Sequence, residues 1–481
     1  MKSNALFYGD NLVWLRDHKY FPDESVDLIY LDPPFNSKAD YNLLFNEPGQ
    51  GNKSQAQIKV FDDTWHWDSE ASALALNELA QNKPQIAEFI SWLSRQGKPQ
   101  ESMAAYLSMM AIRLIELHRV LRPNGSIYLQ CNPTASHYLK TLMDIVFGVK
   151  NFRNEIIWCF TSGGKSKRTF AQKHGTILFY SKTDDYIFNA NDVRVPYSEK
   201  TLANYKPGLI GSTYTAEVKL HKKGKIPEDY WNIAIASKST REYLHYPTQK
   251  PVALLERIIK ASSKKDGLVL DPFCGCGTTI DAAQKLNRHW LGIDVTWLAI
   301  DLVEKRLKAT HGSKVTGIYE VHGKPYDVAS AQALANKSKK EFEIWVVTSV
   351  GAAPREHDGG VDGIFGFIEK DKKTRTIIVQ VKGGDVLNPG MVRDLIGTVK
   401  KEGAAIGLLV TLKEPTKGMM KLAVHSEPYK SELWNKEFPS IQIRTVGELL
   451  EGKGFDLPPT QSPLKNAQLA KEKGQQIHQG I

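Results

Sequence analysis

The chain has 481 residues, 41% of them apolar and 24% charged, with 63 basic against 53 acidic side chains for a formal net charge of +10. Those proportions are ordinary for a globular protein of two or three domains, and the basic excess favours a polyanionic partner such as nucleic acid. The four cysteines, Cys131, Cys159, Cys274 and Cys276, make neither a zinc ligand set nor a disulfide frame. No run of about eighteen apolar residues exists to span a membrane, and the N-terminus lacks the apolar core of a signal peptide, so a cytoplasmic protein is expected.

Residues 1–150 alternate two periodicities. "ALFYGDN" and "VDLIYLD" read as strands, "SMAAYLSMMAIRLIELHRVL" as a helix, "RPNGSIYLQCN" as a turn feeding a strand, and "SHYLKTLMDIVFG" as a helix. Such alternation implies βαβ units and a parallel sheet. From about 160 to 243 the chain turns polar and rich in Lys and Gly, with short strand-like pieces. "PVALLERIIKASS" then resumes the helical spacing, and "GLVLD", "TTIDAAQKLN" and "HWLGID" read as strand, helix and strand. After a second break near 310–340 comes a strand-rich block with "FGFIEKD", "TIIVQVKGG" and "AAIGLLVTL". The tail beyond Phe455 is polar, with little periodicity, and is expected to be disordered.

Two loops carry chemistry. In "VDLIYLDPPFNSK" a buried strand ends on Asp32, and Pro33 and Pro34 stop it sharply because neither has an N–H for a ladder. A rigid acidic loop at the carboxyl edge of a sheet is where α/β enzymes place reactive groups. In "GLVLDPFCGCGTT" Gly275 and Gly277 allow a tight turn and a close backbone approach to a ligand, and Thr278 and Thr279 are candidate caps for the following helix. The loop is no Walker A and lacks the full G-x-G-x-x-G spacing. Asp294, ending the next strand, is placed to accept hydrogen bonds from ribose hydroxyls. These features fit a nucleoside without a pyrophosphate, for which S-adenosylmethionine is the candidate.

Together, "LDPPF" followed by "DPFCGCGTT" resembles the amino-methylating DNA methyltransferases, with motifs (D/N/S)-P-P-(Y/F/W) and F-x-G-x-G. The catalytic motif precedes the cofactor motif, which is similar to the permuted β group; "GDN" at Gly9–Asn11, "NPTASHYLK", "NFRNEIIW" and "HYPTQKP" resemble the same group over roughly residues 5–305. Where relatives often read "HCDPTASHYL", this chain has Gln130 and Asn132. The resemblance implies a Rossmann-like S-adenosylmethionine-dependent methyltransferase that flips a base out of duplex DNA. Asp32 and the carbonyl of Pro33 would accept hydrogen bonds from an exocyclic amino group, Pro34 would stiffen the loop, and Phe35 would stack on the base. It assigns Asp271, Phe273, Gly275, Gly277 and Asp294 to the cofactor and puts Asp10 near its adenine; Thr248 and Lys250 lie in the neighbouring cofactor-side motif. Asp at the head of the motif favours adenine N6, with cytosine N4 as the alternative.

Clustered cations in "TSGGKSKRTFAQKH" and "KLHKKGK" lie where the β group carries its target-recognition segment. Lys165, Lys167, Arg168 and Lys173 are the DNA-binding candidates there. In the C-terminal block, Asp362 after a glycine turn and the strand pair Gln380 and Lys382, two apart and so on one face, form a second constellation. It resembles the PD-(D/E)xK nucleases of Mrr type, with Gln for the usual acid and Glu343 on the preceding helix to supply a carboxylate. The resemblance implies Mg²⁺ at Asp362.

The expected organisation is a catalytic half at 1–160, a recognition insert at 161–243 and a cofactor half at 244–310. A linker follows at 311–337, then an endonuclease-like domain at 338–454 and a disordered tail at 455–481. The expected function is adenine-N6 methylation of double-stranded DNA fused to a DNA endonuclease, with a C-terminal domain that only binds DNA as the alternative. Whether the chain forms a homodimer is left open.

Overall fold

The computed structural model describes residues 4–34, 40–46, 55–62, 70–160, 167–204, 220–237, 240, 242–244, 246, 248–358 and 360–461. The chain opens with β1 (Asn4–Tyr8) and β2 (Val26–Leu31), then makes a separate antiparallel pair from β3 (Asp40–Asn46) and β4 (Gln55–Asp62). It returns with β5 (Leu121–Cys131), β6 (Phe152–Cys159), β7 (His174–Ser181) and β8 (Tyr230–Asn232), and continues with β9 (Leu268–Asp271), β10 (His289–Asp294) and β11 (Tyr319–His322). Apart from β3 and β4, these build a nine-stranded sheet in the order β11-β1-β10-β9-β2-β5-β7-β6-β8. It is parallel from β11 to β5, and β7 runs antiparallel to both β5 and β6. This is the Rossmann-like α/β sheet that the alternating pattern implies, with a mixed edge.

Its centre is covered on both faces, which is why its strands read as unbroken apolar runs. Along β2, Leu28 and Tyr30 enter one core with Leu254, Ile258 and Val303, while Ile29 and Leu31 enter the other with Leu107, Leu114 and Leu117. The helix Val252–Ser262 and the helix Trp297–His311 pack on the first face, and the 23-residue helix Lys98–Val120 on the second.

The remaining strands are β12 (Ala353–Asp358), β13 (Val361–Ile368), β14 (Thr374–Lys382), β15 (Ile406–Thr411), β16 (Tyr429–Ser431), β17 (Lys436–Phe438), β18 (Ile441–Thr445) and β19 (Thr460–Gln461). They form a second sheet of order β12-β13-β14-β15-β18, with β19 paired to β13, and a separate β16–β17 hairpin. The helix Pro389–Glu402 covers one face of this sheet. Its ends are written in the sequence: Asn388 caps the start through the Gly390 N–H, Pro389 takes the first turn, and Gly403 closes it in the left-handed region.

Three expectations of organisation differ from what is seen. Residues 311–337 do more than link: Tyr319–His322 is the edge strand of the nine-stranded sheet, in register with Asn4–Phe7, and the helix Val328–Lys337 follows. The segment 161–243 also builds the sheet, because β7 and β8 are strands of it and the last six residues of β7 are all buried. The tail is placed as far as Gln461, where Thr460 and Gln461 pair with Phe367 and Gly366; residues 462–481 lie outside the described residues. Short strands such as "YEVH" and "TQ" owe their structure to a waiting sheet edge rather than to local pattern.

The two sheets share a core. The cluster holding Leu6, Tyr8 and Trp297 runs on through Phe342, Trp345, Phe365 and Val379. Polar contacts reinforce it: Tyr8 Oη and the Trp297 N–H both donate to Glu341 Oε2, at 3.0 and 3.1 Å, and Trp297 Nε1 donates to Thr348 Oγ1 at 2.7 Å. No helix among the described residues is long and apolar enough to cross a membrane.

Candidate active site

Strands β2 and β9 are parallel neighbours, with Leu28 opposite Val269 and Ile29 opposite Leu270. Whatever follows each strand therefore emerges at the same sheet edge, and the two loops meet although they lie about 240 residues apart in the chain. Between them is a cavity of about 640 Å³ whose lining includes Asp10, Asp32, Pro33, Pro34, Asp271, Phe273, Gly275 and Asp294. Phe35 lies outside the described residues.

The four acids are held differently. Asp10 caps the short helix Asn11–Leu15 through the Leu12 N–H at 2.8 Å and accepts from Arg113 Nη2 at 2.8 Å. Asn11 joins the same knot, donating to the Pro272 carbonyl at 2.7 Å while accepting from Arg113 Nε at 2.6 Å. Asp294 accepts the Gly275 N–H at 2.9 Å on Oδ2 and both the N–H and the hydroxyl of Thr296 on Oδ1, so it ties the glycine loop to β10. Burial pushes its carboxyl up, against those donors. Asp271 accepts the Phe273 N–H at 3.1 Å; burial lifts its carboxyl to about 7, opposed by the Thr279 hydroxyl and that N–H.

Asp32 is the least satisfied. Its Oδ2 is engaged by the ammonium of Lys250, while Oδ1 is buried and has no hydrogen-bond partner among the described residues. Burial raises its carboxyl and Lys250 opposes the rise.

The glycines are demanded mainly by the protein itself. Gly277 has φ +75°, a Cβ there would sit 2.8 Å from Val303, and the residue does not reach the cavity lining; Gly275 has φ +48° and would crowd the Tyr246 ring at 3.2 Å. Thr278 and Thr279 do not cap their helix, whose cap residue is Gly277. Thr278 Oγ1 instead accepts from Arg306 at 2.9 Å, and Thr279 serves Asp271.

In the second sheet, Gly363 pairs with Val379, which sets Asp362 beside Gln380. Asp362 Oδ2 accepts the Val381 N–H at 2.7 Å, and Gln380 donates its amide to the Gly360 carbonyl. Lys382 ends the same strand, and Glu343 sits on the helix Lys339–Ser349 with Lys339 3.7 Å away. Of the basic candidates, Lys167 and Arg168 are exposed beside the fully exposed Phe170, Lys173 is half-buried, and Lys165 lies outside the described residues.

A family model described as DNA methylase matches residues 26–305, more than half of the chain and the whole stretch from β2 to Asp294. The chain belongs to the DNA methylase family. Residues 338–437 of this methylase match a second family model, described as restriction endonuclease, so the chain also carries an Mrr-type endonuclease domain. The methylase is similar to the type II methyltransferase M.BglII of Bacillus subtilis, at 27% identity over 310 residues, covering 62% of this chain and 67% of that protein. It is also similar to the DNA adenine methyltransferase YhdJ of Escherichia coli, at 27% over 318 residues, covering 65% and 85%. Among solved structures, the cytosine-N4-specific PvuII DNA methyltransferase aligns over 67% of this chain and 95% of its own, at 16% identity and a TM-score of 0.37.

Sequence reasoning passed over Arg113, the lone cation in the apolar stripe "MMAIRLIELH", which was itself a signal. It also passed over Tyr30, whose hydroxyl donates to Gln130 Oε1 at 2.6 Å. That bond gives Gln130, a departure from the family pattern, a local purpose; Asn132 has one too, accepting the Ala135 N–H at 3.0 Å as the next helix begins. In the methylase's second sheet Asp362 is the carboxylate that would hold a Mg²⁺, with waters and substrate phosphate oxygens filling the rest of its roughly six positions. No three His, Cys, Asp or Glu side chains gather to hold a metal among the described residues.

Proposed function

We propose that the protein transfers a methyl group from S-adenosylmethionine to the N6 amino group of adenine in double-stranded DNA. The observation that carries this reading is the buried, unpartnered Oδ1 of Asp32 in the same cavity as Asp271, Gly275 and Asp294. A buried acceptor without a donor costs roughly 1–3 kcal/mol, and an incoming amino group satisfies it. The cavity volume suits a small-molecule site, commonly about 300–1,000 Å³, and its carboxylates suit ribose hydroxyls and a cationic sulfonium. Asp294 and Asp10 would hold the cofactor, with Gly275 and Phe273 beside it.

When bound, the cofactor supplies an electrophilic methyl group: the N–C bond forms as the C–S bond breaks, with its electron pair staying on sulfur. Asp32 Oδ1 and the Pro33 carbonyl each accept one amino hydrogen, which draws the nitrogen lone pair out of the ring and toward the methyl carbon. Pro33 and Pro34 fix that acceptor pair, so little reorganisation is left to the transition state. The surplus proton of the amino group is taken at Asp32 Oδ1. Adenine rather than cytosine is supported by Asp at the head of the motif and by the similarity to an adenine methyltransferase. Incubation with unmethylated DNA and labelled cofactor, followed by modification sequencing, tests this: label on adenine N6 is expected, lost in Asp32→Ala, and label on cytosine would overturn the assignment of the base.

For the C-terminal unit we propose DNA cleavage, supported by the restriction endonuclease match. A Mg²⁺ held at Asp362 would supply Lewis-acid activation of the attacking water. Plasmid incubated with and without Mg²⁺ is expected to be cut only with it, and not by Asp362→Ala; no cutting under either condition would leave DNA binding as this unit's role.

A further inference from the structure

The cavity holds one buried cation that the transfer chemistry does not require. Lys250, only 8% exposed, directs its ammonium at Asp32 Oδ2 and also donates to the Thr248 carbonyl at 2.8 Å. Thr248 stands at φ +61°, a left-handed conformation that a β-branched residue rarely adopts. That bend turns its carbonyl onto Lys250, and strain of this kind gathers at functional sites. The loop is pinned as well: Gln249 donates to the Glu242 carbonyl at 2.6 Å and accepts the Leu244 N–H at 2.8 Å, while the Glu242 carboxylate accepts the Val252 N–H at 2.9 Å.

We propose that Lys250 is a positioning residue for methyl transfer, fixing Asp32 by one carboxylate oxygen so that Oδ1 alone meets the target amino group. This rests on the reading of Asp32 given above. The groups facing Asp32 are Lys250 from the loop, Tyr30 on β2, Cys131 on β5, Asp271 at the end of β9, and Tyr246. Lys250 is the single cation in that set. Burial alone favours the protonated carboxylic acid, which is a poor acceptor, and the ammonium opposes it. Lys250 therefore contributes orientation and charge together. Without it the burial effect is unopposed, the ionised fraction of Asp32 falls at any given pH, and activity returns only as the pH rises.

The experiment compares full-length Lys250→Met and Lys250→Arg with the parent protein, measuring kcat from pH 5.5 to 9.5 on saturating duplex and cofactor. Cofactor Kd and Tm are measured alongside. Lys250→Met is expected to lower kcat about 100-fold at pH 7, the order that a misplaced reacting group costs, with its acid limb displaced to higher pH and cofactor Kd within about twofold. Lys250→Arg restores most of the rate and returns the limb. A Lys250→Met rate that equals the parent's, or that falls without moving the limb, overturns the proposal; if that variant does not fold, Lys250→Gln against Lys250→Arg gives the same readout. Asp32→Ala separates the two failures. Methyl transfer surviving in Asp32→Ala sinks the reading of Asp32, whereas a dead Asp32→Ala beside a normal Lys250→Met sinks only the role of Lys250.

Discussion

Asp32 and Asp362 each stand at the end of a sheet strand and precede or face a residue the chemistry would use, yet the protein treats them differently. Asp362 spends Oδ2 on the Val381 N–H of the neighbouring strand, and Gln380 spends its amide on Gly360. Asp32 leaves Oδ1 buried with no described partner and sets the other oxygen against an ammonium. One acid doubles as a clamp in the backbone ladder; the other is held at a cost for something that arrives from outside. The contrast teaches that an acid's structural employment, and not its burial alone, separates a scaffold role from a poised acceptor.

The strongest way to break this comparison is Asp32→Asn. It should lower methyl transfer by about 10³-fold, the order that loss of one preorganised electrostatic partner costs, with DNA affinity measured by fluorescence anisotropy unchanged. A modest rate loss would mean that the orphan oxygen is not what the amino group meets. Next in size is a pair of glycines. Gly277→Ala meets both left-handed strain and Val303, and should cost about 2–4 kcal/mol in urea unfolding. Gly360→Ala, also left-handed at φ +84° but with only Gln380 at 3.4 Å, should cost about 1 kcal/mol. Equal costs would show that the loop of the first sheet is no tighter than that of the second.

Asp362→Ala should cost about 1–3 kcal/mol, because the Val381 N–H is left without its acceptor; no loss of stability would remove the clamp from the comparison. The smallest effect is expected at Asp271. Its folded-state carboxyl is lifted to about 7, so between roughly pH 4 and 7 the native state holds a proton that the unfolded chain has released, and stability falls as pH rises through that window. Asp271→Asn lacks this slope and should gain Tm on the parent between pH 4 and 8, by about 2–4 °C for each kcal/mol relieved.

Much of this was legible in the order of residues. The apolar runs of β2 and β9 announce strands buried on two faces, and the prolines after Asp32 and Asp271 mark where both stop. The resemblance to amino-methylating enzymes supplied the expectation that these two loops meet. Three things escaped. Lys250 reaches Asp32 across 218 positions, a pairing no local pattern encodes. Strand β7, with its apolar core "TILFY", is a strand-like piece in a lysine- and glycine-rich stretch, and nothing local says that it joins the main sheet beside β5. The edge strand "YEVH" alternates, with Tyr319 and Val321 packed on the core, but four residues are too few to stand out, and the strand is ordered by the unpaired side of β1.

The junction at Glu341 carries a practical warning for anyone dissecting the chain. Cutting the protein ahead of residue 339 to obtain a free-standing methylating fragment would remove the acceptor from the Tyr8 hydroxyl and from the start of the helix that follows Asp294. It would also bare the apolar flank of Trp297 and Leu298 to water. The two sheets are joined through a common interior rather than by a tether, so neither half is a cassette that can be lifted out with its edges clean.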